Sequence, residues 1–96
     1  MAWRMLSIVE VVFHTKTVRD NDLQVIERIL RAAENVDNLL IHPKKLSFYI
    51  WSKGKADYKV LDRLKNSLGS LGYPHFEIVA KEYILSGIGY RYPSSI

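Results

Sequence analysis

The residues able to do chemistry are few in this sequence, and they are widely spaced. The chain has no cysteine, so a thiol nucleophile, a thiolate zinc site and a disulfide frame are all excluded. Three histidines, His14, His42 and His75, sit at the ends of separate apolar runs. A metal site needs several ligands converging on one point, and no nearby Asp or Glu clearly completes one with these histidines. Their ordinary reading is as exposed residues at strand ends, and no metal is expected. Gly87-Ile88-Gly89 is followed by no third glycine opening a helix, so it is not a dinucleotide fingerprint, and no cofactor is expected. Ser86, Ser94 and Ser95 have no placed base. Glu10 is a single carboxylate inside an apolar run. It is expected to be paired, or to lie on the face opposite Val9 and Val11. No acid/base pair is identifiable, so an enzyme, such as a small phosphate-processing one built on the histidines, is the weakest expectation.

The stretch running from Lys44 to Lys55 is more informative. Leu46, Phe48 and Ile50 share one face of an extended segment, while Ser47, Tyr49, Trp51 and Lys53 share the other. The first set suits a core. The second puts two large aromatics at i and i+2 among Lys44, Lys45, Lys53 and Lys55. Bases can stack on such rings while cations meet phosphates, each stacked base contributing roughly 1–3 kcal/mol. The same apolar surface suits burial by another protein or by a second copy of the chain, and the C-terminal tail is a third candidate to cover it. A further basic group, Lys16 and Arg19 with Lys44 and Lys45, falls near the start of the first helix. Unpaired N–H groups there attract anions, although Asp20 and Asp22 partly offset the charge.

Elements of regular periodicity must position these residues. Arg4 to Thr15 reads as a strand apolar on both faces, with Val9, Val11 and Phe13 on one and Leu6, Ile8 and Val12 on the other, hence central in its sheet. Asn21 to Val36 reads as a helix whose stripe is Leu23, Ile26, Ile29, Leu30 and Ala33. Asp20 or Asn21 is the expected cap, with Gln24 completing a capping box. Leu39 to His42 is a short strand, Pro43 begins a turn, and Leu46 to Lys53 is a strand ended by Gly54. Asp57 caps a second helix to about Leu71, with Gly69 and Gly72 as helix-ending residues. His75 to Leu85 is the last long strand. Ile88, Tyr90 and Tyr92 alternate before Pro93, compatible with a short extra C-terminal strand.

The order β-α-β-β-α-β predicts an α+β, ferredoxin-like sandwich: two helices on one face of a four-stranded antiparallel sheet, in spatial order 4-1-3-2. A rival topology pairs the last strand and the tail as a hairpin and leaves Leu39–His42 as a loop. With its third-strand aromatics, the layout resembles the RNA-recognition-motif family. The resemblance covers the element order and that one strand, and it implies RNA contact by Tyr49 and Trp51. The first strand, Leu6 to Val11, carries no stacking aromatic, and the third lacks that family's glycine-containing consensus. Acylphosphatases share the layout but hold phosphate in a glycine-rich loop, which Thr15 to Asp20 lacks, so that activity is not inferred.

Ninety-six residues make one domain, 1–96, since a second core would leave each half too small. Hydrophobic content of 48% and charged content of 25% are ordinary for a folded chain. Fourteen Lys+Arg against ten Asp+Glu leave +4, a mild bias toward polyanions. No apolar run approaches a membrane span, the Met5–Phe13 run carries no cleavage-site signature, and a small domain without cysteine suits the cytoplasm. The expectation is thus a small non-enzymatic binding protein contacting DNA or RNA through a basic, aromatic sheet face. The alternative is a protein-interaction or homodimerisation module using the Tyr49/Trp51 face.

Overall fold

The computed structural model describes residues 4–14, 17–53 and 57–85. The elements are β1 (Arg4–Phe13), α1 (Asp20–Ala32), β2 (Val36–His42), β3 (Lys45–Lys53), α2 (Lys59–Leu71) and β4 (Phe76–Leu85). All strand pairs are antiparallel, in the order β2-β3-β1-β4. Read from the other edge this is 4-1-3-2, the ferredoxin-like arrangement that the element order implies. Leu39–His42 lies within β2, so the loop assigned to it in the rival topology does not form. The C-terminal segment expected to add a strand lies outside the described residues.

The core forms on one side of the sheet. Val9, Val11 and Phe13 of β1 and Leu46, Phe48 and Ile50 of β3 meet Ile26 and Leu30 of α1 and Val60, Leu61, Leu64 and Leu68 of α2. Each helix contributes the stripe its 3.6-residue periodicity predicts, and each strand contributes alternate residues. Both helices therefore cover the same face, and the even-numbered residues of β1 lie on the opposite one.

The helix ends depart from expectation in instructive ways. Asp20 and Asn21 do not cap α1; its N-cap is Arg19, with no side-chain cap bond. The Asp22 carboxylate is instead the acceptor in a buried tertiary cluster. Tyr73 Oη donates to Asp22 Oδ2 at 2.5 Å, and Arg19 Nε donates to the same oxygen at 3.2 Å. Helix α1 stops at Ala32, short of Val36, because the next residues join the sheet: Trp51 N–H donates to Asn35 O at 2.8 Å, and Val36 pairs with Ile50. The Asp57 expectation is met in modified form, since its Oδ1 accepts from Lys59 N–H at 3.2 Å while Tyr58 takes the N-cap position. Gly69 lies inside α2. Gly72 ends the helix with φ of 91°, the left-handed region where glycine carries no Cβ strain.

Candidate functional site

Strand register sets out in rows the face opposite the helices, which no helix among the described residues covers. Trp51, Leu6 and Tyr83 lie side by side, followed by Tyr49, Ile8 and Lys81, then Ser47, Glu10 and Val79, then Lys45, Val12 and Glu77. On β2, Asp37 adjoins Tyr49, Leu40 adjoins Ser47 and His42 adjoins Lys45. A bulge between Asp37 and Leu40, with Asn38 at φ of 53°, accommodates one extra residue and keeps Leu40 on this face. Leu40 is 64% exposed and Val79 40% exposed. Tyr49 and Trp51 are half-buried and belong to no core cluster. Leu6, on the same face, is buried between Trp51 and Tyr83 in their shared row.

Charges on this face nearly balance. Arg4, Lys45, Lys53 and Lys81 stand against Glu10, Asp37 and Glu77. Lys45 Nζ is 2.6 Å from Glu10 Oε2. That hydrogen bond, and then the ammonium charge, hold the Glu10 carboxyl below its ordinary value, with a further contribution from Lys81. Glu10 is thus a paired carboxylate on the open face, as its isolation in the strand suggests. Lys45, one of the expected phosphate-contacting cations, is partly neutralised by it.

One end of the face opens into a cleft of about 670 Å³ beside Trp51. Arg4 and Lys53 line it together with Glu34, Asp37 and Asp57. Arg4 and Lys53 are direct cross-strand partners. Like charges so placed repel, and among the described residues neither forms an ion pair. Comparison with protein-family models, curated proteins and solved structures returns no match. The chemistry must therefore be read from the side chains themselves.

The structure gathers Lys45, Tyr49, Trp51 and Lys53 on one surface. Lys44 lies off it, exposed in the β2–β3 turn, where its N–H donates to His42 Nδ1 at 3.2 Å. Lys55 and Lys16 lie outside the described residues. Arg19 sits at the start of α1, but its guanidinium donates to Tyr73 Oη at 3.4 Å and to Asp22 Oδ2 at 3.2 Å, bonds that raise its pKa, and its backbone N–H donates to Tyr73 Oη at 3.1 Å. The three histidines are exposed and lie toward one end of the sheet, and among the described residues no three His, Cys, Asp or Glu side chains converge. No helix among the described residues is long and apolar enough to cross a membrane.

Sequence reading did not single out Arg4, Leu40 or Asp37. Arg4 was recoverable from parity, since it shares a face with Leu6 and Ile8. The other two depend on the Asn38 bulge, which no local residue pattern announces.

Proposed function

We propose that this chain is a binding module whose open sheet face docks a protein partner presenting an apolar ridge flanked by charges of both signs. The observation that carries this reading is the apolar strip Leu40, Tyr49, Ile8 and Trp51, on the face that no helix among the described residues covers, set among four cations and three carboxylates. A polyanion gains little from a surface with so small a net charge. An apolar centre with a mixed polar rim is the anatomy of a protein interface. A photoreactive residue placed at Tyr49 is expected to form a discrete protein adduct in cells that Trp51→Asp abolishes, while one placed at Arg63 on α2 does not. Equal labelling from both positions, or an adduct insensitive to Trp51→Asp, overturns the reading.

One observation favours a second reading, contact with single-stranded nucleic acid. Arg4 and Lys53, neither in an ion pair among the described residues, stand adjacent beside Trp51, as a phosphate next to a stacked base requires. Two such phosphate contacts give log K a slope near −1.4 against log salt on single strands. Anisotropy of a labelled oligonucleotide measures it, and no binding at low salt removes this reading.

A further inference from the structure

We propose that two copies of this chain pair edge to edge through β4, joining their sheets into one. This surface is the main-chain edge of β4, which borders the open face through Glu77, Val79 and Lys81, and its partner is specified by its own sequence.

The two edges of the sheet are built differently. β2 is short, and the bulge between Asp37 and Leu40, with left-handed Asn38, breaks its ladder. Such an edge is a poor template for another strand. β4 runs ten residues, Phe76–Leu85, pairs with β1 without a register break, and contains neither proline nor glycine. Val79, Ala80 and Ile84 are exposed along it. Among the described residues no strand lies on its outer side.

The main-chain groups that face outward can be assigned. His14 N–H donates to His75 O at 3.3 Å, whereas Phe13 N–H donates to Lys44 O at 3.0 Å. Even residues of β1 therefore bond toward β4 and odd ones toward β3. By the alternation of an antiparallel ladder, Glu77, Val79 and Lys81 turn their main-chain groups inward to β1. Phe76, Ile78, Ala80 and Glu82 turn theirs outward.

A two-fold axis normal to the sheet pairs residues of like parity, so only a few registers exist. Centring the axis on Val79 sets Val79 against the partner's Val79 in a non-hydrogen-bonded pair, where side chains approach most closely. Ile78 then exchanges both hydrogen bonds with the partner's Ala80. On the open face Glu77 meets the partner's Lys81, and Lys81 meets the partner's Glu77. Centring instead on Ala80 sets Val79 against a lysine and Ile78 against a glutamate, and centring on Lys81 or Glu82 sets like charges together. One register thus satisfies outward main-chain groups, apolar contact and charge at once.

Sedimentation equilibrium over a dilution series tests the pairing. The wild-type chain is expected to dimerise. Either E77K or K81E turns two attractions into two repulsions and weakens dimerisation by about thirtyfold. The double variant E77K/K81E restores the opposite pairing and recovers the dimer. Hydrogen exchange at the Ile78 and Ala80 amides slows as concentration rises. W51D leaves the dimer intact, which separates this interface from the docking reading. A wild-type monomer throughout, a double variant no better than the singles, or Ile78 and Ala80 amides protected independently of concentration overturns the proposal. The last result would mean that the chain covers its own edge.

Discussion

Ser7 is fully buried, on the helix-covered face of β1. Its Oγ lies 3.0 Å from Tyr58 Oη, and Tyr58 donates in turn to Glu82 Oε2, across the sheet from Ser7. No buried side-chain polar atom among the described residues lacks a partner, so this chain of bonds is what satisfies the serine. Tyr58→Phe strands the Ser7 hydroxyl, and an unpartnered buried hydroxyl costs about 2 kcal/mol. Ser7→Ala removes the hydroxyl while leaving the Tyr58–Glu82 bond, at about 1 kcal/mol. With both hydroxyls gone nothing buried is left unpartnered, so the double variant should be no less stable than Tyr58→Phe alone. The coupling is then about 1 kcal/mol, read from urea midpoints of the four proteins. In thermal melts each kcal/mol appears as roughly 4–8 °C for a domain this size. Burial first, and then the neighbouring Glu82 carboxylate, raise the Tyr58 pKa above its ordinary value of 10.0. A raised acid contributes stability below its unfolded value, and that contribution is lost as pH rises through the folded one. The alkaline fall in stability should therefore flatten in Tyr58→Phe. Additive single variants, agreeing within about 0.5 kcal/mol, would refute this account of Ser7.

The Tyr73 hydroxyl bond first, and then Arg19, hold the Asp22 carboxyl below its ordinary value of 3.8. Its contribution is present above that value and lost as pH falls through the lower folded one. Tyr73→Phe should therefore lower the urea midpoint at neutral pH, and its deficit should shrink as acid protonates Asp22. A deficit constant with pH would separate Tyr73 from the carboxylate. Gly72→Ala should cost about 1 kcal/mol by backbone strain alone, because φ is 91° and an added Cβ meets nothing within 4 Å. Gly72→Asn should recover part of that loss, and equal stability of all three proteins would show that the helix end relaxes.

Much of the fold was legible because periodicity and burial agree. Val9, Val11 and Phe13 alternate, as do Leu46, Phe48 and Ile50, and both sets are core. The helical stripes led by Ile26, Leu30, Leu64 and Leu68 follow the same logic. The helix boundaries were less legible because tertiary partners compete for the same residues. Asp22 serves Tyr73, 51 positions away, and Asn35 is bonded into the sheet by Trp51. The candidate face was visible as aromatics at i and i+2 on β3. Its near-neutrality was hidden, because Glu10 meets Lys45 only through strand register.

If β4 joins to its copy, the two binding faces cannot be considered separately. The axis normal to the sheet leaves both helix pairs on one side and both open faces on the other. From one β3 to the next is five strand spacings, about 24 Å. Trp51 shares a row with Tyr83, four residues along β4 from the axis at Val79, so the two Trp51 sites are also displaced along the strands by roughly 27 Å. The diagonal is about 36 Å on a flat sheet, and twist alters it only moderately. A partner offering one ridge gains nothing from the pairing. A partner offering two ridges at that separation gains effective concentration without any new contact. Loss of edge pairing should therefore weaken only bivalent engagement, whereas loss of Trp51 should weaken engagement of either kind. In such a dimer the open face would set whether a partner binds, and the β4 edge would set how many ridges it must present to bind tightly.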